Sequence, residues 1–113
     1  MEKGTIVLTR FPFTDLTGDK WRPAVIISNV DPANPDVIVA FISSVIPVKP
    51  SLSDFILLNT HPDFVLSGLK KSSVFKMDKL ATLDKSIFSG EIGSVSPYFF
   101  EQLKDKLHTA LDL

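Results

Sequence analysis

A guanidinium, a group of hydroxyls and several aromatic rings fall into one short stretch of this chain. Phe11-Pro12-Phe13-Thr14-Asp15-Leu16-Thr17-Gly18-Asp19-Lys20-Trp21 is a polar loop, and Arg22-Pro23 leads from it into the apolar run Ala24-Val25-Ile26-Ile27-Ser28. Pro23 fixes its own φ, so Arg22 stands at the start of a strand with a stiff backbone behind it. A planar, permanently charged fork held in this way is suited to a phosphate, and a loop beside it can be remodelled around a substrate. For Arg22 alone, the ordinary alternative is a solvated arginine in a plain hairpin connection. A second pair of hydroxyls, Ser43 and Ser44, follows the next apolar run. Together with Thr14, Thr17, Asp15, Asp19, Lys20 and Trp21, these residues suit one reaction class that needs no metal: cleavage of RNA by its own 2′-hydroxyl. The substrate brings the nucleophile. The protein then has to orient it, stabilise charge on the phosphate and protonate the leaving oxygen. Arg22 is the candidate for charge stabilisation, and a hydroxyl at a neighbouring strand end for holding a phosphate oxygen. Trp21 or Phe11 is the candidate for stacking on an unpaired base, while Phe13 reads as core.

Other chemistries lack their residues. His61 and His108 are the only histidines, and no carboxylate pair has metal-ligand spacing. His61 is either a general acid or a solvated residue of a Pro-containing loop, and His108 falls at a helix end. Five scattered glycines build no phosphate-cradling loop, and with no Cys there is neither a thiol nucleophile nor a disulfide. No cofactor is implied. The net charge of -1 argues against a protein that coats nucleic acid by charge alone. The one local basic excess, Lys70, Lys71, Lys76 and Lys79 around Asp78, reads mostly as a solvated face.

The 113 residues make one domain, 1–113, and a hydrophobic fraction of 44% with nine Phe suffices for one modest core. Strands are predicted at Thr5–Thr9, Pro23–Ser28, Val37–Ile42, Asp54–Leu58 and Ser72–Met77, the second and third pairing as a hairpin. Leu80–Leu83 is a further short apolar stretch. Gly90 and Gly93 bracket Glu91-Ile92, which suggests a tight approach or a turn. Ser96 is a good N-cap and Pro97 suits the first helical position. Phe99, Phe100, Leu103, Leu107, Ala110 and Leu111 then recur at helical spacing. The expected fold is mainly β: a small barrel or strongly bent antiparallel sheet, with one C-terminal α-helix laying its apolar face on the sheet. The longest apolar run, Val37–Ile42, is far too short for a membrane span, and the start of the chain lacks a basic, signal-like region. A cytoplasmic location is expected.

Taken in order, the blocks Lys3–Val7, Phe11–Gly18, Arg22–Ser28, Ala40–Ser44, Gly68–Val74, Asp78–Ser86 and Gly90–Gly93 resemble the MazF/PemK family of toxins from toxin-antitoxin systems, in particular its PemK-like branch. The resemblance covers nearly the whole chain. It implies an SH3-like barrel of the CcdB/MazF type, working as a homodimer. It also implies a sequence-specific, metal-independent endoribonuclease that cuts single-stranded RNA or mRNA and is silenced by a cognate antitoxin. The family's catalytic arginine falls on Arg22, its catalytic threonine on Ser43, and the loop covering the site on residues 11–21. That assigns substrate contacts to Phe11, Thr14, Asp15, Thr17, Lys20, Trp21 and Ser44. The chain departs from the family at Thr5, where Asp is usual, and at Ser43, which keeps the hydroxyl and loses a methyl. It departs again at Phe75-Lys76, where an arginine is common, which points Lys76 toward RNA preference. Two other readings stand beside this one: a non-catalytic CcdB-like toxin that binds a protein target such as gyrase, and an SH3-like interaction module.

Overall fold

The computed structural model is described for residues 1–10 and 20–113. Its elements are β1 (Thr5–Thr9), β2 (Arg22–Ile26), β3 (Asp36–Ser43), β4 (Asp54–Leu57), α1 (Phe64–Ser67), β5 (Ser73–Asp84), β6 (Gly90–Ser94) and α2 (Pro97–Leu111), with a single 3₁₀ turn at Lys85–Ile87. The strands form one antiparallel sheet in the order β4-β5-β3-β2-β1-β6. The β2–β3 hairpin is present as expected. No helix among the described residues is long and apolar enough to cross a membrane.

Side chains alternate across a strand, and here both faces are apolar. Ile6, Val25, Ala40, Ile42, Leu57 and Phe75 enter one core. Their neighbours Val7, Ala24, Ile26, Val37, Val39 and Phe41 enter a second core on the other face. Helix α2 covers the first core. Phe99 and Leu103 are buried there, and the Phe99 ring meets Phe55 and Phe75 edge-on at 4.9 and 5.3 Å. The helix starts as its sequence requires: the Ser96 hydroxyl accepts the Phe99 N–H at 3.1 Å and Pro97 occupies the first turn.

Three segments differ from the sequence reading. Leu80–Leu83 is the far half of the long strand β5. Ala40 pairs with Leu80 but Phe41 with Lys76, so Met77, Asp78 and Lys79 form a bulge with no partners on β3. The Met77 N–H turns to the Ser53 carbonyl instead, at 3.1 Å. A bulge of this kind bends and twists a sheet, which explains both the exposed polar pair Asp78-Lys79 inside a strand and the curl of the sheet. Gly90–Ser94 is the edge strand β6, paired with β1, and the four-residue helix α1 had no signal in the sequence.

The barrel is realised as a curled half-barrel. Its edge strands β4 and β6 share no ladder, and α1 packs against β6. Gly68, at φ +71°, ends α1 and brings it onto the Ile92 carbonyl, while Gly93 meets the backbone of Leu66 and Ser67. Two bare backbones in contact thus do what a hydrogen-bonded ladder would do in a closed barrel. The tight approach expected at Gly93 is real, and its partner is α1.

Candidate functional site

The register of the β2–β3 pair positions the two central residues. Ala24 lies opposite Phe41. Continued by two residues along each strand, the same register puts Arg22 opposite Ser43, a relation that sets Cβ atoms about 5 Å apart. Alternation puts both on the sheet face that carries Ala24 and Phe41. The Arg22 guanidinium carbon lies 6.0 Å from the centre of the Phe41 ring. On its other side Arg22 pairs with Thr9 of β1. Thr9 is fully buried, and its hydroxyl has no hydrogen-bond partner among the described residues. Sequence reasoning missed Thr9; it looked like one more β-former in the first strand.

Arg22 and Ser43 line an open cleft of about 450 Å³. Lys20, Trp21 and Ser44 line it beside them, Lys70 and Lys71 line it from the segment after α1, and Ser73 from the start of β5. Leu8, Pro23, Ile42, Leu69 and Ile92 make its apolar part. No carboxylate or imidazole appears among the described residues of its lining. On a chain of net charge -1, this is a locally cationic groove of hydroxyls and ammonium groups above an apolar floor. Such a groove holds a polyanion and offers hydrogen-bond donors to it.

Each hydroxyl and cation has a definite setting. The Ser43 hydroxyl accepts the Val45 N–H at 3.1 Å; this fixes its oxygen and leaves its proton to donate. Ser44 is exposed at the cleft edge. Trp21 is 44% exposed, and the Arg10 guanidinium stacks on it at 4.6 Å from the ring centre. The lysine cluster splits. Lys70 and Lys71 are carried into the cleft by the turn at Gly68, a juxtaposition with Arg22 that no sequence spacing reveals. Lys76 lies outside the cleft lining, with its ammonium 3.4 Å from Asp54. The Asp54 side chain is 2% exposed and its other oxygen accepts the Ser51 N–H at 3.0 Å. Lys76 is therefore engaged in the structure of the β4–β5 edge.

Phe11, Thr14, Asp15 and Thr17 lie outside the described residues, as does Phe13. His61 is outside the cleft: its Nδ1 accepts the Asp63 N–H at 3.0 Å, and its ring meets Phe99 edge-on. Among the described residues no group of three His, Cys, Asp or Glu side chains could hold a metal ion.

A family model described as "PemK-like, MazF-like toxin of type II toxin-antitoxin system" matches residues 2–111. Several solved structures share the fold. The Mycobacterium tuberculosis toxin MazF-mt6 is 22% identical with a TM-score of 0.75, over 96% of this chain and 97% of that one. An endoribonuclease in complex with its cognate antitoxin, from a mycobacterial species, is 20% identical with a TM-score of 0.73, over 100% and 96%. The MazE–MazF complex of Deinococcus radiodurans is 20% identical with a TM-score of 0.72, over 100% and 97%. A comparison with curated protein sequences gives no match.

Proposed function

Because this chain belongs to the PemK-like, MazF-like toxins of type II toxin-antitoxin systems, we propose that it exerts toxicity as an endoribonuclease that cuts single-stranded RNA in the cleft between Arg22 and Lys71. The observation that carries the reading is that Arg22 and Ser43 line one cleft, whose described lining is free of acids. The RNA 2′-oxygen attacks the adjacent phosphorus and the P–O5′ bond breaks. The 2′-hydroxyl gives up its proton and the departing 5′-oxygen gains one. The products are a 2′,3′-cyclic phosphate and a free 5′-hydroxyl. Arg22 stabilises the charge that builds on the phosphoryl oxygens, and the Ser43 O–H donates to one of them. Lys20, Lys70, Lys71 and Ser44 hold flanking phosphates, and Phe11, Thr14, Asp15 and Thr17 are further substrate contacts. No step uses a metal ion.

The chain works in the cytoplasm as a homodimer, in this reading, and is neutralised by a cognate antitoxin that occupies the same cleft. The β3–β4 connection directly after Ser44 leaves Val45, Val48 and Leu52 at least 78% exposed. A second copy placed there covers apolar surface and extends the groove; a monomer by light scattering at all concentrations would argue against it.

The test of cleavage is direct. A long single-stranded RNA incubated with the protein should be cut in the presence of excess chelator. It should be spared where a deoxyribose replaces the ribose at the cut position. Arg22→Lys keeps the charge and loses the fork, and should lower cleavage by about 10²-fold with RNA binding largely kept. Ser43→Ala should cost about 10-fold, and Ser43→Thr should be tolerated. Chelator-sensitive cleavage, or full activity in Arg22→Lys, would sink the mechanism. Growth arrest without any RNA cleavage would move the target to a protein.

A further inference from the structure

Arg10 is the last described residue before the 11–19 segment and Trp21 is the second described residue after it. Their side chains are stacked, the guanidinium carbon 4.6 Å from the ring centre. The stack lies just beyond the last β1–β2 pair, Thr9 with Arg22. Arg10 covers one side of the indole, yet 44% of Trp21 remains exposed, and the residue lines the cleft next to Arg22 and Lys20. An exposed tryptophan usually loses rotamer freedom when it binds something flat. Here a cation over the ring has restrained it beforehand.

We propose that Arg10 and Trp21 form a stacking subsite for one unpaired nucleobase, with Arg10 the positioning residue and the open side of Trp21 the surface that the base meets. The inference rests on the reading of the cleft as an RNA site, and adds which nucleotide contact is made and by what. Trp21 directly precedes Arg22, so consecutive Cα atoms about 3.8 Å apart place the stacked base within one nucleotide of the phosphate that Arg22 holds. Phosphates then lie along Arg22, Lys70 and Lys71, and the base turns out of the strand onto the indole. Stacking tolerates any base, because every base has a π-face. The subsite therefore supplies affinity and geometry, and sequence choice has to come from elsewhere in the site.

Trp21 is the only tryptophan in the chain, so its fluorescence reports this subsite alone. The probe is a fluorescein-labelled, fully 2′-O-methylated RNA pool, which lacks the nucleophile and stays intact. Label anisotropy reads total binding and indole quenching reads stacking. Wild-type protein should bind with quenching, and an abasic oligonucleotide of the same length should bind through its phosphates without it. Trp21→Ala should weaken binding about 10-fold. Arg10→Ala should weaken it about 3-fold, reduce the quench, raise KM for cleavable RNA and leave kcat and the melting temperature unchanged. Arg10→Lys should recover part of the loss. The salt slope separates this role from a phosphate contact. Removing a phosphate contact lowers the slope by about 0.7, whereas Arg10→Ala should leave it unchanged. Binding with an unquenched indole, or an Arg10→Ala variant with a reduced salt slope, would overturn the subsite and leave RNA cleavage standing. Wild-type protein that neither binds the pool nor cuts RNA would overturn the underlying reading and the subsite with it.

Discussion

Replacing Gly68 or Gly93 by alanine should damage this fold far more than its single added methyl suggests, and Gly90→Ala should do no harm. A Cβ on Gly68 would stand 2.7 Å from the Ile92 carbonyl carbon and nearer still to its oxygen, inside the 3.0 Å that real Cβ atoms respect. A Cβ on Gly93 would meet the Leu66 and Ser67 carbonyls equally closely. All of these neighbours are backbone, so no side chain can swing aside, and α1 has to lift off β6. Overpacking of this kind costs about 1–3 kcal/mol at each position. Gly68 also has φ +71°, which adds roughly 1–2 kcal/mol for a residue with a Cβ. Gly68→Ala should therefore lose about 3–4 kcal/mol, a large share of the roughly 5–15 kcal/mol that a domain has. At about 4 °C per kcal/mol for a chain of this size, the melting point should fall by 12 °C or more. Gly93→Ala should lose about 2–3 kcal/mol. Gly90 has an ordinary φ and open space around it, so alanine there should be neutral or gain up to about 1 kcal/mol. Thermal unfolding followed by circular dichroism ranks the three. Gly68 carries Lys70 and Lys71 into the cleft, so RNA binding by Gly68→Ala should weaken even well below its melting point. Three variants with the same melting point would refute the claim that α1 closes the sheet by backbone contact.

Lys76→Met should cost about 2 kcal/mol, below the roughly 3–5 kcal/mol for losing one partner of a fully buried pair, because the Lys76 side chain is itself 21% exposed. Urea unfolding measures the loss, and cleavage per folded molecule should be unchanged; a selective loss of RNA binding would return Lys76 to the substrate site. Thr9→Val removes a buried hydroxyl without a partner among the described residues and should raise stability by about 1 kcal/mol; a destabilised variant in urea unfolding would show that the hydroxyl is satisfied in solution. The Asp84 carboxylate is held below its ordinary 3.8 chiefly by the Ser86 N–H, helped by the Ser86 hydroxyl and Lys85. A depressed folded-state pKa contributes stability that is complete above the unfolded value and lost as pH falls through the folded one. Asp84→Asn should therefore lower stability slightly at neutral pH and flatten the acid limb below about pH 3.8, so that the variant and the wild type converge in acid; an acid limb as steep as the wild type's would contradict this.

How much of this could be read from the chain depends on how local each determinant is. Alternating and continuous apolar runs marked four strands close to their true positions and the first half of β5, and Ser96-Pro97 marked the start of α2 to the residue. These signals act within one element. The bulge at Met77–Lys79 was hidden because its cause lies elsewhere: the Met77 N–H is satisfied by Ser53, far away in sequence. Helix α1 was hidden because four residues carry no helical period, and its stability comes from Gly68 and Gly93. The candidate site divides in the same way. Arg22 and Ser43 were legible because each ends an obvious strand. Lys70 and Lys71 looked like part of a solvated run, and only the chain reversal at Gly68 separates them from Lys76.

The resulting cleft joins a stiff part to an adaptable one. Arg22 and Ser43 stand two residues beyond the last β2–β3 pair, Ala24 with Phe41, on strands that are buried on both faces beyond the site. Their separation is thus fixed by the same packing that holds the protein together. Lys20 and Trp21 stand outside the ladder, where Arg10 restrains the indole by stacking. Lys70 and Lys71 follow a helix held by two glycines. A reacting phosphate needs the first kind of support, because a positioning error of about 1 Å can cost 10²-fold in rate. Flanking nucleotides of varied sequence need the second kind. That division accounts for a small domain, near neutral overall, concentrating its cations where three distant chain segments meet.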